Sequence, residues 1–150
     1  MSTQKTFSAK PGDVTRKWYV IDAAEAPLGR TASLAATLLT GKGKPTFTQH
    51  IDTGDFVIVI NAGSIKVTGN KLEDKMYYRH SGYPGGLKEA SLKDVLSGNT
   101  PERAVFEAVR GMLPVNKLRD GRLMRLKIYA GAEHNHEAQK PESISVKGTK

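Results

Sequence analysis

The run Phe56-Val57-Ile58-Val59-Ile60 constrains this chain more than any other feature. Five consecutive apolar residues leave no polar face, so a strand made from them must be covered on both sides. That is the position of an interior strand in a parallel sheet. Upstream, Trp18-Tyr19-Val20-Ile21-Asp22 is a second segment rich in β-formers. Between the two, Leu28, Ala32, Ala35, Leu38 and Leu39 recur at helical spacing, with Pro27 at the start and Gly41 as a stop. Strand, helix and strand in that order make a βαβ unit with a right-handed crossover. The pattern predicts an α/β domain, and 150 residues suffice for one such domain with one core.

Downstream, Met76-Tyr77-Tyr78-Arg79-His80 is read as a further strand and Gly82-Tyr83-Pro84-Gly85-Gly86 as a turn-rich loop. Ser91 and Asp94 have helix-start spacing, and Gly98 ends that helix. Pro101-Glu102 opens another, with apolar face Ala104, Val105, Ala108, Val109 and Met112, terminated by Pro114. Leu126–Ala130 alternates and predicts a strand with one wetter face. Residues 1–16 are expected to be a flexible or partner-ordered arm, 17–141 the single domain, and 142–150 a polar tail. The absence of cysteine excludes disulfides, thiolate catalysis and Cys-ligated zinc. No stretch has the length of a signal peptide or membrane span, so a cytoplasmic protein is expected.

The charge is uneven. Lys and Arg number 23 against 15 acids, net +8. Between residues 110 and 127, Arg110, Lys117, Arg119, Arg122, Arg125 and Lys127 face the single acid Asp120, net +5 for that stretch. A solvated face mixes both signs, whereas one-sign clustering is the electrostatic footprint of nucleic-acid binding. A second cluster interleaves cations with rings: Lys71, Lys75, Tyr77, Tyr78, Arg79, His80 and Tyr83. Rings stack on unpaired bases while cations hold the neighbouring phosphates. Strand neighbours point to opposite faces, so one of Tyr77 and Tyr78 is expected in the core.

Catalytic signatures are missing. Gly41-Lys42 lacks the spacing of a phosphate loop, no G-x-G-x-x-G occurs, and no serine sits in a nucleophile elbow. His134-Asn135-His136 has too few neighbouring ligands for zinc, so no metal or cofactor is expected; RNA or the protein's own tail is the expected partner of these histidines. Gly29 is expected to permit close helix–strand packing. Arg30, a cation in the first helical turn, opposes the helix dipole and is expected to have an anionic partner that offsets the cost, either Asp22 or Glu25 or an RNA phosphate.

Several ordered motifs carry a resemblance that runs from about Trp18 to Pro141. They are Leu28-Gly29-Arg30, Gly54-Asp55-Phe56, Thr68-Gly69-Asn70-Lys71, Tyr77-Tyr78-Arg79-His80-Ser81-Gly82-Tyr83-Pro84-Gly85-Gly86-Leu87, Pro101-Glu102-Arg103 and Gly111-Met112-Leu113-Pro114, followed by His134, His136, Ala138, Gln139 and Pro141. Together they resemble the bacterial-type large-subunit ribosomal protein thirteen family, from whose pattern Val115, Asp120 and Asn135 depart. The resemblance implies a three-layer α/β/α sandwich on a four-stranded, mostly parallel sheet. It also implies a ribosome-bound, non-enzymatic protein that contacts large-subunit (23S) rRNA in early assembly, beside neighbouring ribosomal proteins and without self-association or a small-molecule substrate. The alternatives are a free-standing RNA-binding regulator acting on its own messenger or, much further off, a metal-dependent nuclease. The residues expected to meet RNA are Arg30, Lys42, Lys44, Lys71, Lys75, Arg79, His80, Tyr83, Gly85, Gly86, Arg110, Lys117, Arg119, Arg122, Arg125, His134 and His136.

Overall fold

A computed structural model describes residues 7–146. The apolar run is β2 (Phe56–Ile60), paired in parallel with β1 (Trp18–Asp22) on one side and with β5 (Leu126–Ile128) on the other. A two-residue strand, β6 (Glu142–Ser143), runs parallel to β1 and completes the order β5-β2-β1-β6. Helix α1 (Leu28–Thr40) makes the β1-to-β2 crossover. Further along come α2 (Lys71–Asp74), a hairpin of β3 (Met76–His80) and β4 (Leu87–Ser91), α3 (Leu92–Ser97), α4 (Glu102–Met112) and α5 (Arg119–Met124). The α/β class and the four-stranded parallel sheet are as expected.

Strand alternation sorts the two faces. Ile21, Val57, Val59 and Leu126 point toward the helices and share a core with Ala32, Ala35, Ala36 and Leu39 of α1 and Val105 and Val109 of α4. The alanines of α1 keep its inner face flat enough for α4 to lie against it. Burying each of the larger aliphatic side chains contributes about 1.5–3 kcal/mol. Ile58 points the other way and is also fully buried. On that side Trp18 stacks on Phe56, centroids 4.2 Å apart, and His136 lies 5.0 Å from Trp18. The cover on this second face is the C-terminal segment, with its single-turn helix Glu137–Gln139.

Three local readings change. Residues 142–146, assigned to the tail, include an edge strand, and the Ile144 N–H donates to the Val20 carbonyl at 2.9 Å. Two residues of edge strand need only backbone hydrogen bonds, so Glu142-Ser143 shows no apolar pattern. The described part of the arm is likewise docked: Ala9 is buried, and its N–H donates to Thr48 Oγ1 at 3.1 Å. Residues 1–6 and 147–150 lie outside the described residues. Finally, Gly29 does not serve close packing, because a Cβ there would meet nothing within 4 Å.

The glycine that does serve close packing is Gly54. A Cβ at this position would lie 1.7 Å from the Leu39 carbonyl oxygen and 2.5 Å from its carbon, both rigid backbone atoms at the end of α1. Gly54→Ala should therefore cost about 3 kcal/mol of unfolding free energy, the upper end of ordinary overpacking. Gly29→Ala, in open space within a helix, should be neutral or stabilising by up to about 1 kcal/mol. Urea titration of the two variants, with unchanged m-values, measures the contrast.

Candidate nucleic-acid interface

The β3-β4 hairpin is anchored at its base and bare at its tip. Tyr77 turns inward against Leu92, Val95 and Ala104, with Lys75 and Arg103 near its ring, whereas Tyr78 is exposed. One tyrosine of the pair is thus a core residue, as strand alternation requires. Beyond them Arg79 and His80 are exposed, and Tyr83 is 76% exposed at the turn. The His80 ring accepts the Gly82 N–H at Nδ1, 2.9 Å, which leaves Nε2 facing outward. Gly85 has φ +71, and a Cβ on Gly86 would lie 2.0 Å from Ser81 Oγ. Both glycines are therefore built into the turn, one by conformation and one by proximity. Leu87 at the start of β4 is also exposed, 53%. A domain with a complete core elsewhere has no internal use for such a set, and exposed rings and aliphatics grouped this way mark a contact surface.

The basic stretch divides in two. Arg110 and Lys117 are exposed, with Arg110 3.8 Å from Glu107, and Arg119 is half-buried. Arg122 and Arg125, expected on the surface, are buried, 2% and 8% exposed. Arg125 makes a bidentate pair with Asp52, with its Nη2 2.7 Å from Oδ1 and its Nη1 bonded to Oδ2. The same guanidinium donates to the carbonyl of Leu39 at 3.2 Å. A fork of five donors meets a carboxylate and a helix C-terminus together, and both favour positive charge. Arg122 Nε lies 3.6 Å from Asp52 Oδ1. Lys44 is also held within the protein. Its ammonium donates to Asp55 Oδ1 at 2.6 Å, to the Thr53 carbonyl at 3.0 Å and to the Thr15 carbonyl at 2.9 Å. Lys44 and Arg125 thus have structural partners in the free protein. The reason is invisible in a charge count: Asp52, distant in sequence from the arginines, folds against them, and Asp55 holds Lys44.

Other expected positions fall into separate groups. Lys71 and Lys75 are exposed and share a hollow with Lys66, Gly29, Glu107 and Met112. Lys42 is exposed in the loop after α1. Arg30 makes no ion pair with Asp22 or Glu25 among the described residues, and Asp22 Oδ1 is taken by the Ala24 N–H and Asn61 Nδ2. The intramolecular partner expected for Arg30 is therefore absent. His134 and His136 sit near Tyr129, on the opposite side of the sheet from α1 and α4, with the His136 N–H donating to His134 Nδ1 at 3.3 Å.

Asp52 carries a pH consequence. Burial works to raise its carboxyl pKa, but the hydrogen bond and charge of Arg125, the Gly54 N–H and the charge of Arg122 outweigh it and hold the group below its ordinary value. A depressed carboxylate contributes stability that is complete above its unfolded pKa of about 3.9 and is lost as pH falls through the lower folded value. Asp52→Asn should cost on the order of 3 kcal/mol at pH 7, because it strands buried guanidinium charge. Its stability should also fall less than that of the parent chain between about pH 5 and 2. Thermal unfolding across that range provides the comparison, and equal acid slopes would contradict the assignment.

Sequence comparison with known proteins identifies the family. The family model described as Ribosomal protein L13 matches residues 16–135. The chain is 59% identical over 138 residues to "Large ribosomal subunit protein uL13" of Kocuria rhizophila, covering 92% of this chain and 93% of that one. It is 55% identical over 143 residues to the protein of the same name from Salinispora arenicola, covering 95% and 97%. For the Syntrophomonas wolfei protein of that name the identity is 55% over 144 residues, covering 96% and 99%. With its parallel sheet, exposed aromatic hairpin and basic segment, the chain belongs to the ribosomal protein L13 family.

Proposed function

We propose that this chain is a structural constituent of the large ribosomal subunit that binds large-subunit (23S) rRNA directly and supports early subunit assembly. The observation that carries the reading is the hairpin, which exposes Arg79, His80 and Tyr83 to solvent, with only His80 Nδ1 engaged among the described residues, by the Gly82 N–H of its own turn. The relatives' names supply the particle; the exposed cations and rings supply the chemistry. No role in the reading calls for a catalytic group, a metal or a small-molecule substrate. Neighbouring large-subunit proteins complete its surroundings, and it acts as a single copy bound to the ribosome.

The interface is mostly phosphate and sugar contact, with base stacking at the hairpin tip. Lys42, Lys71, Lys75, Lys117 and Arg110 act as point charges along the RNA backbone, and Arg30 takes a phosphate at the start of α1, where no acid among the described residues pairs with it. Sedimentation separates this reading from that of a free-standing regulator: the protein should remain with large subunits through a high-salt wash.

Two binding measurements test the mechanism. Affinity for a large-subunit rRNA fragment should fall steeply with salt, and Lys117→Ala should reduce the log–log slope by about one unit if it holds one phosphate. A salt-independent affinity would contradict phosphate contact altogether. Tyr83→Ala should weaken binding by about 1–3 kcal/mol if the ring stacks on a base. Gly85→Val should impair reconstitution with RNA while circular dichroism of the free domain stays unchanged, because the strained turn lies far from the core. Normal reconstitution by Gly85→Val would reduce the loop to a connection and leave the contact to the 110–119 segment.

A further inference from the structure

Beside the end of α1 lies a pocket of about 270 Å³, lined by Thr40, Lys42, Phe47, Gln49, Pro114, Asn116 and Arg122. Three separate chain segments form it, and no acid contributes to its wall. Its floor is unusual. Arg122 is 2% exposed, yet its guanidinium makes no hydrogen bond among the described residues, and its buried Nε has only the long ion-pair contact with Asp52. Its nearest acid, Asp52, lies 3.6 Å away and is already engaged by the bidentate Arg125. A buried cation without its hydrogen bonds is costly.

The polar walls Lys42, Gln49 and Asn116 are exposed rather than buried, but they too have donors to spare. Lys42 Nζ and the Gln49 amide make no hydrogen bond among the described residues, and the Asn116 side chain uses only its oxygen, accepting the Leu118 N–H at 3.1 Å. Four side chains therefore bring N–H donors without partners to one small hollow, two of them charged. Donors without acceptors, of net positive sign and walled by Phe47 and Pro114, suit an anion with several acceptor oxygens and an apolar margin.

We infer that this pocket is a built site for one phosphate of the bound RNA, with Arg122 as the buried cation, Lys42 as the gate-side cation and Gln49 and Asn116 as neutral donors. The inference rests on the function proposed above and specifies one anchoring point within it. The phosphate supplies the hydrogen bonds that Arg122 lacks, so this arginine joins the interface from below the surface. A free phosphate ion carries the same chemistry, and the test separates the two sources.

The test uses the full chain in two arms. In the first, inorganic phosphate is titrated while the Arg122 Nε–H and the Gln49 and Asn116 side-chain NH₂ signals are followed by ¹⁵N NMR. A single saturable shift shared by all three is expected, and Lys42→Ala, an exposed loop change, should weaken it several-fold with the spectrum otherwise intact. Signals that stay still, or that move identically in Lys42→Ala, overturn the site. In the second arm, salt-dependent binding of the rRNA fragment is compared between the parent chain and Lys42→Ala, with a loss of about one unit of log–log slope expected. An unchanged slope, even with a positive phosphate response, overturns the assignment to RNA. Failure of the parent chain to bind the fragment at all would instead refute the proposed function, and the phosphate arm would then decide the pocket by itself.

Discussion

The pairing of Arg125 with Asp52 spans 73 residues of sequence and ties the loop after α1 to the basic segment that precedes β5. Arg125 follows α5 and leads into β5; Asp52 lies in the loop that returns from α1 to β2. Through the Leu39 carbonyl the same guanidinium also closes the C-terminal end of α1. One side chain thus fixes a helix end, a long loop and the exit of the basic segment relative to one another. Gly54 belongs to the same constraint, since only the lack of a Cβ lets the loop pass under Leu39 toward Arg125. Asp55 and Lys44 repeat the device one turn of the loop away and tie in Thr15 of the N-terminal segment.

A parallel sheet explains why such fastening is needed. Each strand must be reached by a long crossover, so most of the chain between strands lies outside the sheet. The 41–55 loop, the hairpin and the 113–125 segment are all connections of this kind. Cations of the first and last of these, Lys44, Arg122 and Arg125, are far apart in sequence and are held by Asp55 and Asp52. Repulsion within the basic segment is relieved by pairing: Asp52 lies against the buried Arg122 and Arg125, and the buried Asp55 holds Lys44.

The elements of the fold were readable where periodicity was strong. The apolar run Phe56–Ile60, the β-formers of Trp18–Asp22 and the helical spacing of residues 28–39 each point to one structure, and the structure contains all three. β4, α5 and β6 were not readable, because Leu87-Lys88-Glu89-Ala90, Arg119–Met124 and Glu142-Ser143 are held by neighbouring backbone and carry little apolar pattern of their own. The candidate site was legible in kind but not in depth. Charge clustering identified residues 110–127, yet nothing local distinguishes exposed Lys117 from buried Arg125. That difference is made by Asp52, some seventy residues upstream, and Gln49 and Asn116 gave no sign at all. An acid two residues before a glycine at the mouth of a buried strand is the signal that pointed to it in retrospect.

Under the proposed function, the Asp52–Arg125 pair organises the RNA-binding face before RNA arrives. The direct measurement is the rRNA-fragment affinity of Asp52→Asn at neutral pH and moderate salt, at a temperature where circular dichroism shows the variant folded. Removing an acid makes the chain more positive, so bulk electrostatics alone predicts tighter binding. Preorganisation predicts weaker binding despite the added charge, because the loop and the basic segment must then be ordered at the expense of binding free energy. Weaker binding by Asp52→Asn is the expected result; binding as tight as that of the parent chain, or tighter, would contradict the account.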